Sequence, residues 1–341
     1  MMRRGYFLLI VFCSVGSLLL YLATQKQSNP WLYKSPNLVP VGAHESHAQF
    51  VIYNRVPKTG STSLVNLVYR LSTNNHVSIS MLNMTGKPLF LSKFNQLSVV
   101  EMLTNRSYSR PFLLHGHFAY LDFSMFGSTI RPIYINMIRD PLERLVSYYY
   151  FRRFGDDYRW NTVRDMDPRV QNQSFDECVL ENGMECRPKN LWVQIPIFCG
   201  AAAYCRTPGN PAALETAKQR VIQNYLTVGV SEYFEDFVLV LERLLPRFFN
   251  GSLNLIRSTG NWQLRRTRHK QPISQSTRDY FHKDPIWKME QEFYEFVRNE
   301  FWFMRDQLIH GPPLSQLESV TFDRMPWNKQ RFFFTRTRVS R

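Results

Sequence analysis

The sequence predicts an α/β protein with a mostly parallel sheet flanked by helices, preceded by one N-terminal transmembrane helix. From residue 49 onward, short apolar runs alternate with amphipathic helical periods, as in folds whose parallel strands are joined by crossover helices. The chain has 341 residues, 44% of them hydrophobic, which is enough for a substantial core and excludes wholesale disorder. Its formal net charge of +15 indicates an anionic partner such as nucleic acid, acidic lipid, phosphate or acidic polysaccharide.

Four apolar runs predict buried strands, and helical periods follow three of them. The predicted strands are residues 50–53, 112–114, 133–138 and 226–230. The helices predicted after strands are residues 62–71, 141–154 and 232–245, and a fourth, long helix is predicted at residues 285–309. A residue with a helix-capping side chain precedes each of the last three helices: Asp140, Ser231 and Asp284.

An uncharged segment, residues 5–24, lies between Arg4 and Lys26 near the N-terminus. A helix of about 20 residues, at about 1.5 Å per residue, spans the hydrocarbon core of a bilayer. Arg3 and Arg4 keep the short tail in the cytoplasm and place the rest of the chain in the lumen. A cleaved signal peptide is the alternative, although the run is long for one and bulky residues stand where cleavage needs small ones.

The predicted organisation has five parts, and its lumenal body argues against nucleic acid as the partner. The parts are a cytoplasmic tail (1–4), a signal-anchor (5–24), a stem (25–48), a lumenal domain (49–310) and a basic aromatic tail (311–341). Four N-glycosylation sequons agree with a lumenal body: Asn83, Asn105, Asn172 and Asn250.

Four of the five cysteines cluster in the predicted lumenal domain: Cys178, Cys186, Cys199 and Cys205. An even, clustered set in an oxidising compartment predicts two disulfides. Short loops favour Cys178–Cys186 and Cys199–Cys205, but four cysteines allow three pairings, and a zinc site is the alternative.

Residues 55–63, Arg-Val-Pro-Lys-Thr-Gly-Ser-Thr-Ser, lie between a predicted buried strand and an amphipathic helix. Such a turn directs backbone N–H groups and the positive end of the helix dipole at an anion. Lys58 adds a positive charge, and the hydroxyl side chains add hydrogen-bond donors. The spacing is not that of a Walker phosphate loop. The structural alternative is a small-residue turn that only caps the helix.

Two further segments end at the same predicted edge of the sheet. Arg139 directly follows a predicted strand, where ligands of such folds bind, and Ser147 lies about two helical turns later. The alternative there is a capped helix start.

His115 and His117 flank Gly116 at the end of another predicted strand, so both point to one side. Imidazole suits acid–base chemistry near neutral pH, whereas a structural role and metal ligation are the alternatives.

Together these segments resemble the uronyl 2-O-sulfotransferase family, and heparan sulfate 2-O-sulfotransferases in particular. The Lys-Thr-Gly-Ser-Thr-Ser loop is similar to the 5′-phosphosulfate loop of sulfotransferases, and Arg139 with Ser147 is similar to their 3′-phosphate site. More specific stretches are residues 53–59, 115–123, 153–159, 191–196 and 287–290. The resemblance runs from about residue 50 to 305, and Gly60 stands where the family commonly has alanine.

The resemblance implies a P-loop-like sulfotransferase fold and an activity. The activity is transfer of a sulfuryl group from 3′-phosphoadenosine 5′-phosphosulfate (PAPS) to the 2-hydroxyl of iduronic, less often glucuronic, acid in heparan sulfate. It implies in-line displacement without a metal, with His117 as general base, His115 in support and Lys58 stabilising the leaving group. The implied donor-binding residues are Lys58, Thr59, Gly60, Ser61, Thr62, Arg139, Ser147, Arg257, Gly260 and Lys270. The implied glycan-binding residues are Arg55, Asn66, Tyr69, Asp156, Arg159, Arg164 and Arg265.

The same resemblance implies a single-pass type II protein of the Golgi membrane that binds heparin-like polysaccharide and assembles as a homotrimer. Three alternatives stand beside this interpretation: a uronyl 2-O-sulfotransferase acting on dermatan or chondroitin sulfate, a lumenal heparin-binding protein without catalysis, and a lumenal kinase. The intact residues Lys58, His117, Arg139 and Ser147 argue against the second. A kinase is disfavoured because the sequence has no Walker, glycine-rich or metal-binding aspartate motif.

Overall fold

The computed structural model describes most of the predicted lumenal domain. The described residues are 50–84, 86, 88–104, 110–157, 166–260 and 265–310, together with two short antiparallel strands, Phe322–Asp323 and Phe333–Phe334. The predicted cytoplasmic tail, signal-anchor and stem lie outside them. Within this described part, no helix has the length and hydrophobicity that crossing a bilayer requires.

A five-stranded parallel sheet forms the centre of the described domain. Its strands are β1 (Phe50–Asn54), β2 (Ser78–Met81), β3 (Phe112–Gly116), β4 (Ile133–Ile138) and β5 (Tyr225–Val230). The strand order is β2-β3-β1-β4-β5, which places β1 in the middle, and every residue of β1 and β3 is buried. Fully buried parallel strands read as continuous apolar runs. The predicted parallel α/β sheet is therefore confirmed.

Helices follow the strands, as the predicted alternation requires. They are α1 (Ser61–Leu71), α2 (Lys93–Thr104), α3 (Pro141–Phe154), α4 (Pro168–Asn172), α5 (Phe175–Leu180), α6 (Gln194–Cys199), α7 (Pro211–Asn224), α8 (Phe234–Leu244), α9 (Pro246–Phe249), α10 (Ser252–Thr259), α11 (Gln275–Lys283) and α12 (Pro285–His310). The predicted helices correspond to α1, α3, α8 and α12, each to within two residues at either end. The long helix α12 packs against β5, α7 and α8.

Strand β2 and helices α2 and α7 are elements that the apolar pattern does not predict. β2 is an edge strand whose residues are exposed or only half-buried, so it lacks the apolar run of a central strand. α2 buries only Val99, Val100 and Leu103. The buried face of α7 includes two alanines and Lys218, which give little hydrophobic signal.

Two of the three predicted helix caps are confirmed. The Asp140 carboxylate accepts an N–H group from the first turn of α3 at 2.9 Å, and Asp284 does the same for α12 at 2.7 Å. The predicted cap at Ser231 is wrong. Ser231 opens a 3₁₀ turn, and α8 begins only at Phe234, without a side-chain cap.

Both disulfides that the short loops favour are present. Cys178–Cys186 joins α5 to the 3₁₀ turn Met184–Cys186 and packs in a buried cluster with Leu145 and Tyr149 of α3. Cys199–Cys205 ties the end of α6 to the 3₁₀ turn after it. Because all four thiols are oxidised in pairs and buried, the alternative of a zinc site at these cysteines is excluded.

We expect removal of the Cys199–Cys205 bridge to destabilise the protein. Closing this loop, with a sequence separation of 6 residues, reduces the entropy of the unfolded chain. The variant Cys199→Ala/Cys205→Ala should therefore lose roughly 2 kcal/mol in its free energy of unfolding. Denaturant titration measures this loss, with Thr207→Ala as a nearby control. An unchanged unfolding midpoint would show that the bridge is not stabilising.

Candidate functional site

A cavity of about 510 Å³ opens at the carboxyl end of the parallel sheet. The loops that follow β1, β3 and β4 line it, together with α3 and the segment 265–270. Parallel strands bring such loops to one edge, which is where ligands of open α/β folds bind. The predicted site residues that line this cavity are Arg55, Lys58, Gly60, Ser61, Thr62, His117, Arg139, Ser147, Asp156, Arg265 and Lys270.

The loop between β1 and α1 has the backbone form of an anion cradle. Lys58 and Gly60 have positive φ angles, 66° and 79°, which turn the chain tightly just before α1. An alanine at Gly60 would be strained, because residues with a Cβ rarely adopt this conformation. α1 has neither an acidic residue in its first turn nor a side-chain cap. The positive end of its dipole is therefore uncompensated beside the cavity.

Lys58 places its ammonium group inside the cavity. Its Nζ lies 3.0 Å from Thr267 Oγ1 and 4.1 Å from the ring centroid of Phe151. Burial lowers the pKa of Lys58 to about 7; Asp156 opposes the shift and neighbouring cations, Arg265 first among them, add to it. A bound anion would favour the charged amine, because opposite charge stabilises the ionised form.

The Thr267 hydroxyl links Lys58 to α3. Ser147 Oγ lies 3.0 Å from Thr267 Oγ1, and Ser147 is buried. Arg139 Nη1 donates to the main-chain carbonyl of Lys58 at 3.3 Å. The loop after β1 and the junction between β4 and α3, which are about 80 residues apart in sequence, thus meet in one site.

His117 is exposed in the cavity and its ring orientation is fixed by one hydrogen bond. Its Nδ1–H donates to the main-chain carbonyl of Arg55 at 2.8 Å. A carbonyl oxygen only accepts, so Nδ1 carries the proton and Nε2 carries a lone pair in the neutral ring. The cavity walls remove part of the water around the ring, and this desolvation, followed by the charge of Arg55, lowers the pKa of His117 to about 4. At neutral pH the ring is therefore a neutral base with Nε2 available.

His115 lies behind the cavity wall instead of lining it. The Nη1 of Arg55 donates to His115 Nδ1 at 3.4 Å, so the His115 Nε2–H donates to the Tyr69 hydroxyl at 3.2 Å. Burial, and then Arg55, lower the pKa of His115 to about 4. The two histidines differ because His115 is the penultimate residue of β3, whereas His117 follows the end of that strand.

Arg55 and Arg265 both contact hydroxyl groups at the start of α1. Arg55 Nη2 donates to Ser61 Oγ and Thr62 Oγ1 at 3.2 Å each, and Arg265 Nη1 donates to Thr62 Oγ1 at 3.3 Å. Arg265 also pairs with the buried carboxylate of Asp156 at 2.6 Å. Asp156 is therefore a counter-ion that holds a cation at the cavity wall.

Glu143 gathers three cations beside the cavity. Its carboxylate oxygens lie 2.5 Å from Lys270 Nζ, 3.5 Å from Arg278 Nη2 and 3.9 Å from Arg139 Nη2. Burial opposes ionisation, but the hydrogen bond and charge of Lys270 outweigh it and lower the pKa of Glu143. The ion pair attaches Lys270, and with it the segment 265–270, to α3.

Comparison with known proteins agrees with this geometry. A profile described as "Sulfotransferase family" matches residues 45–297. The chain belongs to the sulfotransferase family. It is 46% identical over 259 residues to "Heparan sulfate 2-O-sulfotransferase 1" of Mus musculus, covering 76% of this chain and 72% of that relative.

Relatives from other animals match this sulfotransferase equally well. The protein of the same name from Homo sapiens is 45% identical over 265 residues, covering 78% of this chain and 74% of the relative. "Heparin sulfate O-sulfotransferase" of Drosophila melanogaster is 46% identical over 260 residues, covering 76% and 74%. The resemblance that the motifs indicate is therefore confirmed.

Three predicted site residues on or beside α1 lie away from the cavity of this sulfotransferase. The buried Thr59 hydroxyl donates to the Val56 carbonyl at 3.0 Å, so it closes the loop on itself. Asn66 and Tyr69 lie one and two turns along α1 from Thr62, and neither lines the cavity. Both residues lie further along α1 than the part of the helix that lines the cavity.

Two predicted donor-binding residues at the C-terminal end of α10 do not line the cavity either. Arg257 pairs with Glu235 of α8 at 2.7 Å, and Gly260 ends α10 in a left-handed conformation. The prediction extended a basic stretch to Arg257, but among the described residues from 257 to 270 the cavity lining consists of Arg265, Arg266, Thr267 and Lys270. The predicted glycan-binding residues Arg159 and Arg164 and the sequon Asn105 lie outside the described residues.

Several cavity residues escape the prediction from sequence. Tyr148 and Phe151 line the cavity from α3, and Phe151 supports Lys58. Phe151 lies four residues after Ser147 and so on the same helix face, which is the signal that could have found it. Arg266 is exposed at the wall beside Arg265, and Glu232 follows β5.

Metal ligation was the alternative role for the histidine pair. Both ring nitrogens of His115 and the Nδ1 of His117 contact protein groups. Among the residues that the structure describes, no group of three or more His, Cys, Asp or Glu side chains is placed to hold a metal ion.

We expect the amine of Lys58 to titrate near neutral pH. A surface lysine stays protonated to about pH 10, whereas the pKa of Lys58 is lowered to about 7 by burial. After reductive ¹³C-methylation, the methyl resonance of one lysine should change its chemical shift as the amine loses its proton near pH 7. Lys58→Arg should remove that resonance. If every lysine titrates near pH 10, the electrostatics described here are incorrect.

Proposed function

We propose that the protein transfers a sulfuryl group from PAPS to the 2-hydroxyl of a uronic acid, chiefly iduronate, in heparan sulfate. One observation carries the proposal: Lys58 and His117 line the same cavity, at the end of a strand–loop–helix unit suited to an anion. Identity of 45–46% to heparan sulfate 2-O-sulfotransferases over three quarters of the chain supports the choice of acceptor.

The residues around the cavity fit a nucleotide that carries phosphate groups on both the 3′ and the 5′ positions of its ribose. The loop after β1 and the start of α1 would hold the 5′-phosphosulfate through backbone N–H groups and Lys58. Arg139 and Ser147 would hold the 3′-phosphate. The cationic lining, with an uncompensated helix N-terminus, matches the charge of such a donor.

The donor supplies an activated sulfuryl group, whose bond to the 5′-phosphate breaks as the acceptor oxygen bonds to sulfur. His117 Nε2 takes the proton of the acceptor hydroxyl, because its lone pair is directed by the bond between Nδ1–H and the Arg55 carbonyl. Lys58 stabilises the negative charge that develops on the leaving phosphate oxygen. Positioning and charge neutralisation supply most of the catalysis in this kind of displacement.

The acceptor polysaccharide is polyanionic and meets cations at the same cavity. Arg55, Arg265 and Arg266 lie at its wall. Arginine binds carboxylate and sulfate groups through a planar fork of donors. The Asp156 carboxylate, whose Oδ2 lies 2.6 Å from Arg265 Nη2, keeps the Arg265 side chain oriented. Because the Arg55 carbonyl holds His117, an acceptor bound at Arg55 would present its hydroxyl beside His117.

Location and assembly follow as parts of the proposal. A signal-anchor at residues 5–24 would make this a type II protein of the Golgi membrane, where disulfides persist. The sequon residues Asn83, Asn172 and Asn250 are exposed and are proposed glycosylation sites. A homotrimer is proposed from the family resemblance.

The proposed acceptor is tested by incubating the purified protein with labelled PAPS and separate polysaccharides. We expect sulfate in heparan sulfate, located at the uronic acid 2-position by disaccharide analysis. Incorporation only into dermatan or chondroitin sulfate would favour the other uronyl 2-O-sulfotransferase activity. Heparin binding without any transfer would favour the non-catalytic alternative.

We expect His117→Ala to abolish transfer while leaving nucleotide binding intact. Loss of a general base costs about 10²- to 10⁴-fold in rate, whereas the hydrogen bond from His117 to the loop goes to the Arg55 main-chain carbonyl, which does not need the imidazole to keep its place in the loop. Turnover is measured by disaccharide analysis, and nucleotide affinity by calorimetry with adenosine 3′,5′-bisphosphate. His310→Ala, at the exposed end of α12, is the matched control. Full turnover by His117→Ala would remove this residue from the mechanism.

A further inference from the structure

A single buried side chain clamps the main chain of Arg139. The Gln194 Oε1 accepts the Arg139 N–H at 3.0 Å, and the Gln194 Nε2–H donates to the Arg139 carbonyl at 2.9 Å. Gln194 has 0% of its surface exposed. Both hydrogen-bonding groups of the residue that follows β4 are thus satisfied by one amide, which fixes the point where Arg139 leaves the sheet.

Glu290 of α12 holds Gln194 in turn. Its Oε1 accepts the main-chain N–H groups of Val193, Gln194 and Ile195 at 3.0, 3.1 and 3.2 Å. Its Oε2 accepts the second amide hydrogen of Gln194 at 3.4 Å. The Gln194 amide therefore has only one orientation that satisfies both neighbours.

The Glu290 side chain is itself fully buried, with 0% exposure; burial raises its pKa to about 7, and the charge of the buried Arg144 opposes this shift. Arg144 lies on α3, three residues before Ser147, and donates to the Asn190 carbonyl at 3.0 Å. A buried group that is hydrogen-bonded several times is costly to disturb. Glu290 on α12 and Arg144 on α3 thus both hold the main chain of the segment 190–195, which carries Gln194.

Among the residues that the structure describes, the Arg139 guanidinium makes two long contacts. Its Nη1 lies 3.3 Å from the Lys58 carbonyl and its Nη2 lies 3.9 Å from Glu143. Such contacts orient a side chain weakly. The direction in which Arg139 points is therefore decided chiefly by its main chain, which Gln194 holds.

We propose that Gln194 and Glu290 are positioning residues that direct Arg139 at the 3′-phosphate of the sulfate donor. The inference rests on the proposed function, which gives Arg139 its phosphate. Gln194 and Glu290 lie in two of the stretches that carry the family resemblance, 191–196 and 287–290, and neither stretch contributes a residue to the cavity lining. Neither side chain lines the cavity, so both act through Arg139.

Two nucleotides that differ only in the 3′-phosphate test this proposal. Calorimetry with adenosine 3′,5′-bisphosphate and adenosine 5′-monophosphate is performed on the unaltered protein, Arg139→Ala, Gln194→Met and Arg139→Ala/Gln194→Met. Gln194→Met keeps the volume of the side chain and removes its hydrogen bonds. We expect Gln194→Met to weaken the bisphosphate about 10-fold, the loss of a charge-assisted hydrogen bond. We expect less than about 2-fold for the monophosphate, and no further loss in the double variant.

Glu290→Gln provides a second route if Gln194→Met does not fold, and the same selective loss is expected. Gln96→Met is the matched control, because Gln96 also donates to a main-chain carbonyl but lies outside the cavity. Equal weakening of both nucleotides, no weakening of either, or additive losses in the double variant would overturn the positioning role. Failure of the unaltered protein to bind either nucleotide would instead overturn the proposed function.

Discussion

The main-chain carbonyl of Arg55 determines what chemistry the cavity can perform, because it holds the Nδ1–H of His117 and leaves Nε2 as the basic atom. The side chain of the same residue contacts His115 behind the wall and two hydroxyl groups at the start of α1. Arg55 follows β1, the central strand, and its own N–H donates to the Gly116 carbonyl at 2.7 Å. His117 and the loop after β1 are therefore both held at the end of the central strand of the sheet.

The second constraint is electrostatic. Lys58, Arg139, Arg265 and Lys270 converge on one small volume, and like charges at short range oppose each other. Two carboxylates reduce this repulsion: Asp156 at Arg265, and Glu143 at Lys270. Burial lowers the pKa of Lys58, and the repulsion that is left adds to this shift, so a polyanionic donor would complete the charge balance of the site. Affinity for the donor and the positive charge of Lys58 are thus linked.

How much of the site can be predicted from sequence depends on the range of the interactions. The turn of residues 55–63 and the junction at Arg139 are evident because each signal is local, a strand followed directly by a helix. The contacts of Thr267 with Lys58, and of Glu290 with the N-terminus of α6, join residues that are 209 and about 96 apart. No periodicity encodes them. His115 misled because two residues at spacing i, i+2 share a side only while the strand continues, and β3 ends at Gly116.

The protonation state of His117 tests the central claim most directly. Nitrogen-15 NMR of the imidazole side chains, assigned with His117→Ala, distinguishes the two neutral tautomers and the imidazolium. The structure predicts a neutral ring at pH 7 with the proton on Nδ1, because the Arg55 carbonyl accepts it at 2.8 Å. A proton on Nε2, or a doubly protonated ring at that pH, would contradict the account.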